Sequence, residues 1–135
     1  MQELANHLPS TGYLGALAQL QLLARGTVAF FADYDLLLTP VLAHRPLPLG
    51  ELHGYGDDPA DDLLRAGRFA PYTWLFNLTG QPAIALPAGF GEDGLPSGVQ
   101  LVGHPLGEET LLQVGGQLEA ARPWAAHRPA IADRV

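Results

Sequence analysis

Few side chains in this sequence have the chemistry to attack or deprotonate a substrate. Its 7 basic residues are all arginines, cysteine is absent, and serine occurs only at Ser10 and Ser97. Without lysine the chain can form neither a Schiff base nor a serine–lysine pair, and without cysteine it has no thiolate nucleophile. Catalysis by this chain alone is therefore limited to Asp, Glu, His, Tyr, Thr and the two serines.

Neither serine lies in a recognisable nucleophile motif. Ser97 stands in Gly94-Leu95-Pro96-Ser97-Gly98, one position away from the spacing of the G-x-S-x-G nucleophile elbow. A serine hydrolase built on Ser97 would need a hairpin to bring His104 and a carboxylate to it, and this is the least favoured of three functional hypotheses. Ser10 is interpreted as a helix cap.

Metal ligands are also not predicted. The histidines, at positions 7, 44, 53, 104 and 127, show no i, i+3 or i, i+4 pair on a helix. Four carboxylates occur between Asp57 and Asp62, which would suit a cation, but they lack an ordered ligand pattern. We interpret them as a solvated loop that caps a helix over 60–67, with Asp61 and Asp62 in its first turn. No metal and no cofactor are predicted.

Composition narrows the class of partner. The 135 residues are 47% hydrophobic and 16% charged, with a net charge of −7, which is typical of one globular domain or a part of one. An acidic chain lacks the basic face that nucleic acid or an anionic membrane surface requires. No apolar stretch reaches the ~20 residues of a membrane span, and residues 1–4 show no secretory signal. We therefore expect a cytoplasmic protein.

Hydrophobic periodicity predicts an α/β arrangement. A helix is expected over 12–32, with an apolar stripe formed by Leu14, Leu17, Leu20, Ala24, Val28 and Phe31. The continuous run at 35–40 is typical of a strand buried on both faces, and 40–60 is a Pro- and Gly-rich loop. A short helix ending at Gly80, strands over 83–88 and 98–103 joined by an Asp-Gly turn, and a helix over 108–122 complete the series.

Three motifs carry a resemblance to a known family. Residues 76–89 read Phe-Asn-Leu-Thr-Gly-Gln-Pro-Ala-Ile-Ala-Leu-Pro-Ala-Gly, residues 93–103 read Asp-Gly-Leu-Pro-Ser-Gly-Val-Gln-Leu-Val-Gly, and 31–40 contain Asp-Leu-Leu-Leu-Thr-Pro. In this order and spacing they resemble the C-terminal portion of the amidase signature family, over roughly residues 12–129. The resemblance implies that residues 1–135 form a partial domain, a C-terminal segment of a larger α/β fold with a mixed sheet flanked by helices.

The same resemblance implies hydrolysis of carbon–nitrogen bonds in amides. The family uses two serines and a lysine base, with backbone N–H groups stabilising the oxyanion. These residues belong to parts of the family's fold that this sequence does not resemble, so no catalytic residue is carried over. Because the chain contains no lysine, we expect it to be inactive alone.

Substrate-lining residues are the one functional feature that the resemblance transfers. In the family, the segment before the Asn-Leu-Thr-Gly-Gln-Pro motif approaches the acyl side of the substrate, which here gives Phe69, Tyr72 and Trp74 as candidate pocket residues. Where tRNA-dependent relatives are expected to carry an acidic residue, this chain has Ala70, which favours an apolar or aromatic amide. The alternative is that these aromatic side chains only pack between helix and sheet.

Two functions remain open. The leading hypothesis is a C-terminal fragment of an amidase-family hydrolase, with a small amide as substrate only in the context of a complete enzyme. The alternative is a non-catalytic binding or assembly module that complements a separate N-terminal amidase half, or that associates with further copies of itself. This second hypothesis rests on the unpaired sheet edges that three isolated strands would leave.

Overall fold

The computed structural model describes residues 7–52, 58–129 and 131–132, so His53 and Asp57, which are considered as metal ligands but not predicted to be any, lie outside the described residues. Seven elements follow one another: α1 (Ser10–Phe30), β1 (Leu36–Pro40), α2 (Pro59–Phe69), α3 (Trp74–Thr79), β2 (Ala83–Phe90), β3 (Pro96–Gly103) and α4 (Glu108–Ala121). Within those ranges no helix has the length and apolar character needed to cross a bilayer.

The strands form one sheet in the order β1-β3-β2, and both pairings are antiparallel. Leu38 lies opposite Leu101 in one pairing, and Ala85 lies opposite Gln100 in the other. The β2–β3 hairpin shifts register between Pro87 and Gly89. The expected α/β class is confirmed, and the strands of the described part are all antiparallel to their neighbours.

Each face of the sheet carries its own core. On one face Phe31, Phe76 and Val102 are buried together, which places the end of α1 and α3 against the strands. On the other face Leu101 and Leu111 are buried with Leu86, because α4 packs on β2 and β3 there. The helices therefore cover the sheet from both sides, as alternating helices and strands predict.

Helix ends follow local chemistry, with one correction. The side chain of Asp58 accepts hydrogen bonds from the N–H groups of Ala60 and Asp61, so the predicted cap of α2 is confirmed. Gly80 ends α3 with φ 69°, as a left-handed C-terminal residue should. Ser10 does not cap α1. Pro9 takes that place, its carbonyl accepts from the N–H groups of Gly12 and Tyr13, and Ser10 is already helical.

Three expectations about burial were wrong. Leu38 in β1 is 61% exposed although its run reads as a strand buried on both faces, because β1 lies at the edge of the sheet and α4 packs mainly on β2 and β3. In α1, Leu14 is 60% exposed, and only the C-terminal half of the helix packs on α3. Helical spacing predicts that the inward side of α4 is formed by Leu111, Leu112, Gly115, Leu118 and Ala121. Leu111 and Gly115 are buried as expected, whereas Leu112 and Leu118 are exposed.

Candidate functional site

The segment from Phe69 to Trp74 joins α2 to α3 and is held at the end of the sheet where β1 stops. Phe69 is the last residue of α2, and its carbonyl accepts a 3.0 Å hydrogen bond from the N–H of Ala43. The carbonyl of Tyr72 accepts a 3.3 Å hydrogen bond from Nε2 of Gln100. The backbone of this segment is therefore positioned both by the chain that follows β1 and by the central strand.

Gln100 is the positioning residue that sequence reasoning missed. It is 5% exposed, and its Nε2 donates to Oγ1 of Thr39 at 3.1 Å as well as to Tyr72. Because Thr39 lies opposite Gln100 in the sheet, one amide group connects β1, β3 and the connecting segment. The sequence does contain a signal for this role, because Gln100 is a lone polar residue in the apolar run Val99 to Val102. A polar side chain buried in such a strand needs a hydrogen-bond partner.

The candidate pocket residues occupy different environments. Phe69 lines an apolar cavity of about 310 Å³ formed with the chain around Leu42 and Leu47. Its ring is nearly parallel to that of His44, with centroids 6.5 Å apart. Tyr72 is half-buried, and Trp74, the first residue of α3, is 48% exposed. Phe69 thus faces a cavity, while Trp74 presents much of its ring to the surroundings.

Gln81 fixes the motif that carries the family resemblance. It is 6% exposed, and its Nε2 donates a 2.7 Å hydrogen bond to the carbonyl of Gly103 at the end of β3. The sequence alone favours a bond from this side chain to the backbone of the nearby Gly80 turn. Instead, that turn is closed by Oγ1 of Thr79, which accepts from the N–H of Gln81 at 3.3 Å. Among the described residues, no donor reaches Oε1 of Gln81.

Ser97 and His104 do not form a catalytic pair. Ser97 is the second residue of β3 and His104 follows its last residue, so the strand holds them roughly 20 Å apart. The hydroxyl of Ser97 accepts from Nη1 of Arg45 at 2.5 Å, and the ring of His104 packs edge-on against Phe31 at 5.7 Å. Ser97 does line a cavity of about 430 Å³ with His44 and Arg45, but its described partner is a guanidinium, which cannot accept its proton.

Arg45 also pairs with Asp93 and donates to the carbonyl of Leu95, and so ties the chain after β1 to the β2–β3 turn. The N–H of Leu95 donates to the Asp93 carboxylate, and this bond, followed by the hydrogen bond and charge of Arg45, holds the pKa of Asp93 below its ordinary value. Partial desolvation acts in the opposite direction and is outweighed. The ion pair is largely solvated, so it organises the loop more than it stabilises the fold.

In the described ranges, no group of three or more His, Asp or Glu side chains is placed to hold a metal ion. Asp58 and Asp61, which suggested such a site, lie at the start of α2 as its cap and first turn. The described part of the acidic cluster thus matches the capping interpretation.

Comparison with known proteins identifies what this arrangement is similar to. A family model described as Amidase matches residues 1–112. A putative amidase AmiB2 from Mycobacterium tuberculosis is 44% identical over 103 residues, which are 76% of this chain and 22% of that protein. A 6-aminohexanoate-cyclic-dimer hydrolase from a Pseudomonas species is 43% identical over 103 residues, which are 73% of this chain and 21% of that protein.

Solved structures of enzymes from the same family have a similar fold. A 6-aminohexanoate cyclic dimer hydrolase superposes with a TM-score of 0.85 at 33% identity, over 95% of this chain and 28% of its own. A glutamyl-tRNA(Gln) amidotransferase component from Thermotoga maritima gives 0.68 at 25% identity, over 85% of this chain and 24% of its own. The chain therefore spans about a fifth of the length of the curated relatives and about a quarter of these two structures.

Proposed function

Because the chain belongs to the amidase family, we propose that it forms the C-terminal part of an enzyme that hydrolyses carbon–nitrogen bonds in amides. The observation that carries the proposal is the superposition at a TM-score of 0.85 on a hydrolase of which the chain covers only 28%. In such an enzyme the chain supplies three strands of the sheet and one wall of the substrate pocket. The serines and lysine of the family are supplied elsewhere, since this sequence contains no lysine.

The substrate is proposed to be a small amide with an apolar acyl part. Phe69, Tyr72 and Trp74 line the acyl side of the pocket, and Gln100 positions their backbone through the Tyr72 carbonyl. Ala70 offers no carboxylate for an α-amino group, which separates this chain from relatives that act on aminoacyl-tRNA. Two relatives are named for a cyclic dimer of 6-aminohexanoate, an aliphatic amide of the expected kind.

The pocket assignment is tested in an assembled enzyme. The partner is the Pseudomonas relative from which the segment matching this chain has been deleted, here named the acceptor protein. Phe69→Ala, Tyr72→Ala and Trp74→Ala should each raise KM for the cyclic dimer about tenfold, because each removes apolar contact area with the acyl part. Phe90→Ala, at an exposed aromatic residue of the hairpin, is the matched control and should leave KM unchanged.

Inactivity of the isolated chain is the second part of the proposal. We expect the purified 135-residue chain to hydrolyse simple amides and esters no faster than buffer does. A rate above background that disappears in Ser97→Ala would establish the serine-based alternative and overturn this part. A rate above background that survives Ser97→Ala would overturn it equally, through another residue.

A second candidate function is a non-catalytic assembly module, and the exposed apolar surface favours it. Leu22 of α1 is 66% exposed and Leu38 of β1 is 61% exposed. Partners would be a separate N-terminal amidase half or further copies of the chain, and we propose that neither nucleic acid nor a membrane takes part. Size-exclusion chromatography and hydrogen exchange discriminate, because a compact and well-protected monomer would show that no partner is needed. We also propose that the protein is located in the cytoplasm, which cell fractionation would test.

A further inference from the structure

A cavity of about 160 Å³ lies where the β2–β3 hairpin meets the chain that follows α4. It is lined on one side by residues 87–90 of β2, and on the other side by residues 122–124 and His127. No residue of the segment 69–74 contributes to its lining. The proposed function therefore gives this cavity no role.

Aromatic side chains form part of the cavity wall. Trp124 packs against the buried cluster that includes Leu101 and Leu111, so its ring is anchored to the core on the α4 side of the sheet. The N–H of His127 donates a 2.9 Å hydrogen bond to the carbonyl of Trp124, which closes a turn between them. The ring of His127 also contacts that of Phe90, with centroids 5.2 Å apart. The core and the hairpin thus hold the rings of Trp124 and His127 in place.

The guanidinium of Arg122 is the charged group of the cavity. Arg122 follows the last residue of α4, and its backbone N–H donates to the carbonyl of Leu118. Within the described ranges its side chain makes no hydrogen bond and no ion pair, whereas Arg45, which lines another cavity, is bonded to Asp93. The five N–H donors of the Arg122 side chain can therefore exchange water for a ligand.

Gly89 leaves space beside this guanidinium. Its φ is 132°, a conformation that residues with a side chain rarely adopt, and the register shift of the hairpin lies at this point. A Cβ on Gly89 would lie 3.7 Å from Nη2 of Arg122, so a side chain there would project into this space. The irregular backbone of β2 thus keeps room for ligand atoms next to Nη2.

We propose that this cavity binds a small aromatic carboxylate between Arg122, Trp124 and His127. The carboxylate accepts hydrogen bonds from the guanidinium of Arg122, whose planar fork matches two carboxylate oxygens. The aromatic body of the ligand packs against the rings of Trp124 and His127. The size agrees, because a cavity of roughly 150 Å³ is known to hold a benzene ring, and this one measures about 160 Å³. Binding here does not depend on amide hydrolysis.

Titration of the ¹⁵N-labelled 135-residue chain with benzoate, followed by NMR, tests the proposal. The chain contains two tryptophans, Trp124 in the cavity and Trp74 at the start of α3, and each gives its own indole N–H signal. Benzoate should shift the Trp124 signal saturably, with a Kd of about 1 mM, and leave the Trp74 signal unchanged. Because a net charge of −7 gives the chain no general attraction for anions, a shift confined to Trp124 reports a local site.

Related ligands separate the contribution of the charge from that of the ring. Benzamide keeps the ring but carries no negative charge, and acetate keeps the carboxylate but has no ring. Both should bind at least about tenfold more weakly than benzoate. Benzamide bound as tightly as benzoate would show that the guanidinium takes no part, and acetate or inorganic phosphate bound as tightly would indicate a site for any small anion. Either result would overturn the assignment of an aromatic carboxylate.

Matched variants test the two kinds of contact. Arg122→Gln should weaken benzoate binding at least about tenfold, because it removes the charged donors. Arg25→Gln, at an exposed arginine of α1, removes the same charge and should leave the Kd within about twofold. His127→Ala removes one aromatic wall and should weaken binding about threefold. An unchanged Kd in Arg122→Gln, or equal losses in Arg122→Gln and Arg25→Gln, would overturn the proposal.

The titration is repeated on the equimolar mixture with the acceptor protein, so that the cavity is also measured in an assembled domain. A saturable shift of Trp124 in either sample supports the proposal. Its absence from both samples overturns it and leaves Arg122 as a solvated charge at the end of α4. A shift of Trp74 alone would place the ligand at the segment 69–74 and would overturn it as well. Benzoate binding without amide hydrolysis would leave this site standing without the proposed function.

Discussion

The side-chain amide of Gln81 donates a 2.7 Å hydrogen bond to the backbone carbonyl of Gly103. This bond ties the turn after α3 to the last residue of β3, and so connects two residues that are 22 positions apart in sequence. The amide is buried, and its oxygen meets no donor in the described part of the chain. The geometry requires a donor at this position, and a carboxylate cannot replace it.

Replacing Gln81 therefore has effects that depend on charge more than on size. Gln81→Glu should lower the free energy of unfolding by about 3 kcal/mol at neutral pH, because a carboxylate would face the Gly103 carbonyl without a donor. Gln81→Met removes the donor and the unpaired oxygen together and should cost about 1 kcal/mol. Urea unfolding of the two variants measures both values. Equal losses would show that the charge of the replacement does not decide the stability of this turn.

Gln100 should control the order of the candidate pocket segment. Gln100→Leu leaves Oγ1 of Thr39 and the carbonyl of Tyr72 without their donor, so amides at 70–73 should exchange faster and the fold should lose about 1 to 2 kcal/mol. Gln113→Leu is the control, because Gln113 makes its 3.0 Å hydrogen bond to Glu109 on the exposed surface of α4. Unchanged exchange at 70–73 in Gln100→Leu would contradict the positioning role.

Glycine is required at position 80 because of the backbone conformation there, and not because neighbouring atoms leave too little space for a side chain. Its φ is 69°, and a Cβ there would meet nothing within 4 Å, so Gly80→Ala should destabilise by about 1 kcal/mol through the left-handed conformation alone. Gly116→Ala should have the opposite sign, because Gly116 lies inside α4 with equally open surroundings and alanine is the better helix former. Thermal unfolding of both variants tests this pair. A lower stability of both variants would contradict the helix-propensity argument for Gly116.

Acid should weaken the connection between the chain after β1 and the hairpin. The pKa of Asp93 is lowered in the folded state, so its contribution is present above the ordinary carboxyl range and is lost as the pH falls through the lower folded value. The melting-temperature difference between the wild type and Asp93→Asn should therefore shrink on acidification from about pH 7 to about pH 3.

Arg45→Gln separates the causes of that shift. The N–H of Leu95 is the largest contributor and Arg45 comes after it, so Arg45→Gln should keep part of the pH dependence while Asp93→Asn removes all of it. If Arg45→Gln abolished the pH dependence completely, Arg45 and not the N–H of Leu95 would be the main cause of the lowered pKa of Asp93. A pH-independent melting-temperature difference for Asp93→Asn would contradict the lowered pKa itself.

Much of the fold could be predicted from sequence because its determinants are local. The Asp-Gly turn between two strands, the cap at Asp58 and the stop at Gly80 each depend on a few adjacent residues, and each lies where the pattern predicts it. The fold class follows from the order of these elements. The start of α1 was missed by two residues, because Pro9 supplies the carbonyl that begins the helix.

Burial and long-range polar contacts could not be predicted in the same way. The runs around Leu14 and Leu38 read as buried, but whether an apolar side chain is covered depends on elements brought from elsewhere in a domain, and neither is covered by the described residues. Gln100 acquires its role only when folding brings it within hydrogen-bond distance of Thr39 and Tyr72, which are 61 and 28 positions away in the sequence. Periodicity carries no information on such partners.

The proposal that this chain completes an amide hydrolase is tested by hydrolysis of the 6-aminohexanoate cyclic dimer with three samples: the 135-residue chain, the acceptor protein, and their equimolar mixture. Product release can be followed by chromatography. We expect background rates for each protein alone and measurable hydrolysis by the mixture, because the pocket wall and the catalytic residues are then in one assembly. Hydrolysis by the isolated chain would contradict the proposed function, and so would a mixture that binds but never exceeds background.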